Sequence, residues 1–350
     1  MYKQFCILAN KLYLWVMLGF SRQKLSVMKT AYRKIRLSPA NKVRLGEINS
    51  IIEEYRLDGY VLTLRQLYYQ LVSRDIIPNQ QKEYKNLSKL LGEGRMAGYV
   101  DWEAIEDRMR KVEKPSCWDT PMDILQTAVR QYRRDNMENQ PCRIEVWVEK
   151  DALSGVLERV TSKYGIGLQV QRGYGSITAL KNAYERVIED DRKFHILYLG
   201  DHDPSGLDML RDIENRIFEF WWGDNQGSDE PCPKNFMDSP CYPEFADRFE
   251  IVPIALTSAQ IKQYSPPPNP AKMTDPRSGN YVDEHGNTSY EVDALPPKVL
   301  NRILTDAITD LMDLDEYDRS LERQKAEKWV MKEAISKMDF GSGKRSDEEE

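Results

Sequence analysis

Two aspartates one residue apart end a strongly apolar stretch near the middle of the chain. Asp201 and Asp203 follow the run Phe194–Leu199 in the sequence YLGDHDPSG, and Glu149 ends a second β-rich run, IEVWV. Carboxylates so close together raise each other's pKa and cost stability unless a cation or hydrogen-bond donors compensate. An oxygen-only set with no nearby cysteine suits Mg²⁺ or Mn²⁺ better than zinc. These three residues therefore predict a divalent-metal site.

Each of these motifs also has an ordinary structural interpretation, because short motifs are common by chance. A D-x-D pair occurs in many turns, and Glu149 with Lys150 could form a surface ion pair. Lys150 could equally neutralise a substrate phosphate, and we expect His202 to be a packed side chain rather than a ligand. Metal ions held by acids at such a site typically stabilise charge on a phosphodiester under attack.

A second candidate lies in the segment TLRQLYYQL, which has helical spacing. Arg65 and Tyr69 are four residues apart on one face, so the guanidinium can approach the phenol oxygen. A phenol is a poor nucleophile until a cation favours its deprotonation. The pair therefore has two interpretations, an activated nucleophile or a structural contact. The stripe predicted to be buried consists of Leu64, Leu67, Tyr68 and Leu71.

The second two-thirds of the chain alternates short β-rich runs with longer helical stretches. This pattern predicts an α/β fold with a parallel sheet, whose sites lie beyond the carboxyl ends of the strands. The predicted strands are 144–148, 168–171, 194–199 and 249–254, and the predicted helices are 152–164, 176–189 and 205–221. Two closing helices are predicted at 293–312 and 317–337, and long loops at 223–247 and 266–287.

The first third predicts a different unit, made mainly of helices. Helices are expected at 40–57, 63–73 and 82–97, followed by a strand-like piece at 99–100 and another helix from Asp101. Three short helices with a small extended element are the outline of a winged helix-turn-helix, a module that lays a helix against DNA.

Charge is divided unevenly along the chain, although its net value is only −6. Residues 1–114 carry 21 Lys and Arg against 12 Asp and Glu, whereas 115–350 carry 29 against 44. A basic amino-terminal third suggests contact with a polyanion, which we expect to be double-stranded DNA. The candidate phosphate contacts are Lys82, Lys85, Lys89, Arg95 and Lys150.

The apolar run 11–20 is too short to span a bilayer, which takes about 20 apolar residues. No small-residue cleavage site follows it, and the five scattered cysteines fit a reducing compartment. We expect a cytoplasmic, nucleoid-associated protein without a membrane partner. The expected divisions are a basic extension (1–39), a winged helix (40–114), a linker with a helix (115–140), a sheet domain with closing helices (141–337) and a disordered tail (338–350).

Several motifs resemble one known family. The segments VEKDALSGVLERV, RGYGSITALKNAY and YLGDHDPSG are similar to a Toprim domain of the kind found in the A subunit of topoisomerase VI and the related meiotic double-strand-break transesterase. LRQLYYQLV resembles the winged helix that precedes it, and SYEVDALPPKVLNRIL resembles the closing part. The likeness covers roughly 42–254 and is closest to short, stand-alone A-subunit-like proteins.

The resemblance implies a role for each candidate residue. Tyr69 would be the nucleophile with Arg65 as its partner, and Glu149, Asp201 and Asp203 would hold Mg²⁺ (or Mn²⁺). Such proteins act as homodimers, with the tyrosine of one chain reaching the metal site of the other, and leave a protein linked to each 5′ end. The implied activity is a type IIB topoisomerase-like double-strand cleavage that conserves the phosphodiester's energy.

The chain also departs from the family pattern. Gln66 stands where the family often has Asp, and Ser205 stands where it has Tyr. No motif of an ATPase is present, so either a separate ATPase or accessory subunit supplies the gating, or the protein cleaves without controlled strand passage. Two alternatives stay open: a Toprim nuclease in which water attacks the phosphodiester, and a non-catalytic DNA-binding component of a larger assembly.

Overall fold

A parallel sheet forms the centre of the carboxyl-terminal two-thirds of the chain. In this computed structural model the strands are β1 (Arg143–Val148), β2 (Gly167–Val170), β3 (Phe194–Leu199) and β4 (Phe249–Ala255), in the order β2-β1-β3-β4. Every pairing between them is parallel. The predicted α/β class and parallel sheet are therefore confirmed. The structure describes residues 29–106, 115–171, 173, 175–226, 231–233, 235–270 and 278–338.

Helices cover both faces of the sheet, and further helices precede and follow it in the sequence. They are α1 (Pro39–Leu57), α2 (Leu64–Ser73), α3 (Gln81–Met96), α4 (Pro121–Gln131), α5 (Ser154–Tyr164), α6 (Ile177–Ile188), α7 (Pro204–Gln226), α8 (Tyr242–Arg248), α9 (Ser258–Tyr264), α10 (Ser278–His285), α11 (Pro297–Thr309) and α12 (Leu314–Ser336). A small antiparallel pair, β5 (Asn269–Pro270) and β6 (Thr288–Ser289), lies between α9 and the segment that leads to α11.

The alternation of side chains along the strands explains why both faces of the sheet are covered. On β3, Leu197 and Leu199 join a core with residues of α5 and α11, whereas Ile196 and Tyr198 join a second core with residues of α6 and α7. Every residue of β3 is buried as a result. A continuous apolar strand of this kind is typical of the centre of a parallel sheet.

The amino-terminal unit packs around a separate core. Helices α1, α2 and α3 contribute its apolar side chains, among them Leu45, Leu67 and Leu87. Tyr68 is only 5% exposed and belongs to this core, as its spacing predicts. Ala294, from the segment before α11, also packs here and joins the unit to the rest of the chain.

Four predictions about local structure are wrong. Residues 99–100 form no strand, and 101–106 form turns with one bridge between Leu62 and Ile105 instead of a helix. The segment 223–247 is not one loop, because α7 continues to Gln226 and α8 follows. Likewise 266–287 contains β5 and α10. Polar composition misled the two loop assignments. The predicted extension at 1–28 and tail at 339–350 lie outside the described residues.

Candidate metal and nucleophile site

The ends of the two central strands bring the first acids together. Glu149 follows β1 and Asp201 follows β3 by one glycine. Because these strands are neighbours, the backbone N–H of Asp201 donates to Glu149 Oε2 at 3.0 Å. The predicted meeting of Glu149 and Asp201 at one edge of the sheet is confirmed.

A later segment of the chain completes a group of three acids that we call the acidic cluster: Asp201, Glu291 and Asp293. One carboxylate oxygen from each lies within 4.8 Å of the others, and the described residues contain no other acidic group of this kind. The Val292 backbone N–H donates to Asp201 Oδ1 at 2.9 Å and so fixes the segment against the strand end. The cluster is partly to fully buried, with Asp293 only 1% exposed.

Lys150 lies in the middle of the acidic cluster. Its ammonium nitrogen is 2.6 Å from Glu291 Oε2, 2.8 Å from Asp201 Oδ2 and 3.1 Å from Asp293 Oδ1. The surface ion pair with Glu149 that the sequence allowed is replaced by these three contacts. Lys150 is therefore turned inward, away from the position expected of a DNA-binding side chain.

Arg65 and Tyr69 approach the cluster from α2. Arg65 forms ion pairs with Glu291 and, at 2.9 Å, with Asp293 Oδ2. Its guanidinium lies 5.9 Å from the centre of the Tyr69 ring. The predicted approach of the two side chains is confirmed. Asn269 of β5 also lies beside the site, where its amide donates to Glu291 Oε1 at 3.4 Å.

The start of α2 holds these two residues at a defined angle. The Thr63 hydroxyl accepts the backbone N–H of Gln66, and the Gln66 side chain accepts the backbone N–H of Thr63. This capping box satisfies two donors that a helix start otherwise leaves open. Gln66 is thus engaged in the cap, which gives it a structural role where the family pattern has Asp.

Burial changes the protonation of the acids. It raises the pKa of Glu149 to about 7, and the nearby charges of Asp201 and Asp203 add to this effect. Burial also raises the pKa of Asp201, although the Lys150 charge opposes it. The pKa values are raised because burial outweighs the opposing charge of Lys150.

The same environment opposes ionisation of the tyrosine. Burial and the charge of Asp293 raise the pKa of Tyr69, while Arg65, Lys150 and Asn269 act in the other direction. For Lys150, burial alone lowers the pKa, but Asp293 and Asp201 outweigh it and leave the pKa above its ordinary value. Tyr69 is only 4% exposed, so its nucleophilicity requires additional positive charge.

The acidic cluster fits a divalent cation. Its donors are all carboxylate oxygens, the ligands that Mg²⁺ and Mn²⁺ take in proteins. Asp293 Oδ2 is fully buried yet accepts no hydrogen bond, because Arg65 approaches it without hydrogen-bonding geometry. The Arg65 guanidinium, 2.9 Å away, is the cation that compensates this oxygen. The donor set itself could bind a metal ion.

Asp203, the third predicted ligand, caps the start of α7. Its Oδ1 accepts the Gly206 backbone N–H at 2.7 Å and the Ser205 hydroxyl at 2.9 Å, at the start of α7. Its charge still acts on Glu149. His202, between the two aspartates, is buried and contacts Tyr281 at 3.0 Å, as expected of a packed side chain.

The predicted phosphate contacts divide into two groups. Lys82, Lys85 and Lys89 are exposed along α3. Arg95, in contrast, is half-buried and donates to the backbone oxygen of Ile105 at 3.1 Å. We therefore place the candidate DNA surface on the three lysines, whereas Arg95 and Lys150 are engaged inside the fold.

Glu291, Asp293 and Asn269 are site residues that the sequence did not predict. A signal for the two acids was present, because EVD repeats the acid-x-acid spacing of DHD and follows a polar segment. Asn269 carries no comparable signal.

The chain has no match among protein-family models, among curated proteins or among solved structures. Within the described ranges, no helix has both the length and the apolar composition that crossing a membrane requires.

Proposed function

We propose that this protein cleaves double-stranded DNA by Mg²⁺-dependent transesterification, with Tyr69 as the nucleophile. In this proposal the helices α1 to α3 act as a winged-helix unit and the sheet acts as a Toprim domain, as the motif resemblance suggests. The product would be a double-strand break with a 5′-phosphotyrosyl bond at each end. A homodimer and a separate ATPase or accessory subunit belong to the same proposal.

One observation carries the proposal most strongly. Arg65, predicted from α2 as the partner of Tyr69, forms ion pairs with Glu291 and Asp293, and the charge of Asp293 also acts on the pKa of Tyr69. The segment that carries these two acids is held against Asp201 at the end of β3. A structural Tyr–Arg contact has no need of a cluster of three acids. A hydrolytic nuclease, in turn, has no need of a buried tyrosine beside its metal ligands.

The chemistry assigns a task to each group. The Tyr69 oxygen forms a bond to phosphorus while the bond from phosphorus to the 3′ oxygen breaks. The phenol loses one proton and the departing 3′ oxygen gains one, so atoms and charge balance. Arg65 stabilises negative charge on the phenol oxygen during this step.

Asp201, Glu291 and Asp293 would hold the metal, with Glu149 directly beside Asp201. A bound divalent ion supplies positive charge that favours the phenolate and offsets charge on the phosphodiester. Lys82, Lys85 and Lys89 would contact the DNA backbone, since they are exposed along one helix.

The test is a search for covalently bound DNA. Purified protein is incubated with supercoiled and linear DNA in Mg²⁺ or Mn²⁺, denatured, and examined for a protein–DNA adduct. We expect the wild type to form the adduct, and Tyr69→Phe and Glu149→Gln to lose it. Tyr68→Phe is the matched control, because Tyr68 is the neighbouring core tyrosine whose hydroxyl bonds Asn79 instead.

The alternatives give different results in the same assay. Cleavage without an adduct that survives Tyr69→Phe but not Glu149→Gln would identify a hydrolytic nuclease. Absence of any cleavage, with DNA binding intact, would favour a binding component that acts within a larger assembly.

A further inference from the structure

The contacts of Lys150 coincide with the candidate metal site. Its ammonium contacts one oxygen of each acid in the acidic cluster, at 2.6 to 3.1 Å. These are the three residues that could hold a metal ion. The Lys150 side chain is only 15% exposed, so it is held inside the site and not at its rim.

An ammonium and a divalent ion cannot share this position. Mg²⁺ binds oxygen at about 2.0–2.1 Å and requires the ligands to close around it. The ammonium nitrogen stands between the same three residues at hydrogen-bonding distance, and two cations at that range repel each other. Without either cation, Arg65 would still pair with Glu291 and Asp293, but the buried carboxylate of Asp201 would lose its ion pair.

We infer that Lys150 is a built-in counter-ion that neutralises the acidic cluster in the metal-free protein and leaves the cluster when a divalent ion enters. The inference rests on the proposed function, since it concerns the regulation of the same site. The flexible four-carbon stem of lysine allows such a movement without a change of backbone. The released ammonium is then available to a phosphate of bound DNA.

Chemical labelling of the wild-type chain tests the exchange directly. Mn²⁺ binding is first measured by calorimetry, to establish saturation. A short pulse of an amine-acetylating reagent is then applied in EDTA and in saturating Mn²⁺, and each lysine is quantified by mass spectrometry. We expect acetylation of Lys150 to rise roughly fivefold or more with Mn²⁺, because its ion pairs are broken and its stem is freed. Lys298, whose side chain is 75% exposed, serves as the internal control and should not change.

The variant Lys150→Met provides a second measurement. Without the competing ammonium we expect Mn²⁺ to bind about tenfold more tightly, since the like charge has been removed. We also expect a lower melting temperature in EDTA that Mn²⁺ restores. Lys298→Met is the matched control and should behave as the wild type does.

The outcomes separate this inference from the proposed function. Saturating Mn²⁺ with unchanged or reduced Lys150 acetylation would overturn the inference alone. Failure of Mn²⁺ to bind either protein would overturn the inference and the proposed metal dependence together. Release of Lys150 without any DNA adduct would support the inference and count against the transesterase only.

Discussion

Glu149 shows how position sets the chemistry of a single side chain. It ends β1, accepts a backbone N–H from the adjacent strand end and is surrounded by further carboxylates. Burial and these charges raise its pKa to about 7 from an ordinary value of 4.5. Glu149 is therefore partly protonated near neutral pH in the metal-free protein.

This raised pKa predicts a pH-dependent stability. Because the folded state holds the proton of Glu149 more tightly than the unfolded state, the free energy of unfolding falls as pH rises from about 4.5 to 7. Glu149→Gln removes this dependence. One pKa unit corresponds to about 1.4 kcal/mol. We therefore expect the free energy of unfolding to fall by about 2 kcal/mol more in the wild type than in the variant between pH 5 and pH 8. Urea unfolding in EDTA measures the difference, and parallel pH profiles would contradict it.

At the scale of elements, the start of α7 is built against the strand end that carries Asp201. A Cβ at Gly206 would overlap the backbone oxygen of Asp201. The turn and the helix can therefore approach each other closely only because position 206 has no side chain. The position of Asp201 in the acidic cluster depends on this contact.

Two alanine substitutions on α7 should have opposite effects. Gly206→Ala pushes the start of α7 away from the turn at Asp201. We expect it to lower the free energy of unfolding by about 1–3 kcal/mol and to weaken Mn²⁺ binding. Gly223→Ala, where an added Cβ would meet no atom outside its own helix within 4 Å, should stabilise by about 0.5–1 kcal/mol and leave metal binding unchanged. Thermal unfolding and calorimetry distinguish them. Equal effects of the two variants would show that the close approach is unimportant.

The elements themselves were largely predictable, since their signals are local. The apolar run of β3 and the Thr63 cap of α2 can be recognised from neighbouring residues, and both are confirmed. The contact between Asp201 and Val292 joins residues 91 positions apart in sequence, and no local pattern reports it. The orientation of Lys150 depends on that contact and therefore could not be predicted from the sequence either. Short helices such as α8 and α10 were missed because polar, proline-containing segments resemble loops.

At the scale of the molecule, the amino-terminal unit offers an exposed basic surface. Lys82, Lys85 and Lys89 lie three and four residues apart on α3, so they share one side of the helix. If they contact phosphates, each Lys→Ala change should reduce the slope of log affinity against log salt by about 0.9. Lys332→Ala on α12 is the control and should leave the slope unchanged. Fluorescence anisotropy over a salt series measures it, and an unaltered slope in all three variants would exclude this surface.

The arrangement of Tyr69 also bears on how two chains cooperate. The tyrosine lies beside the acidic cluster of its own chain, whereas the family resemblance implies that it serves the partner chain. We predict that co-expressing Tyr69→Phe and Asp201→Asn chains, with different affinity tags, restores no adduct in the purified mixture. Wild type mixed with Tyr69→Phe should form adduct in proportion to the wild-type chains. Recovery of adduct from the two inactive variants would show exchange between subunits.

The sharing of carboxylates by Arg65 and Lys150 has a thermodynamic consequence. Both cations contact Glu291 and Asp293, so an anion that draws one of them away leaves those acids with less compensating charge and a stronger attraction for a metal ion. DNA would then raise the affinity for the metal, and by reciprocity the metal would raise the affinity for DNA by the same factor. A coupling free energy of about 1–3 kcal/mol is typical of such linked sites. The ion pairs would thus keep Tyr69 unreactive until DNA and the metal ion are both bound.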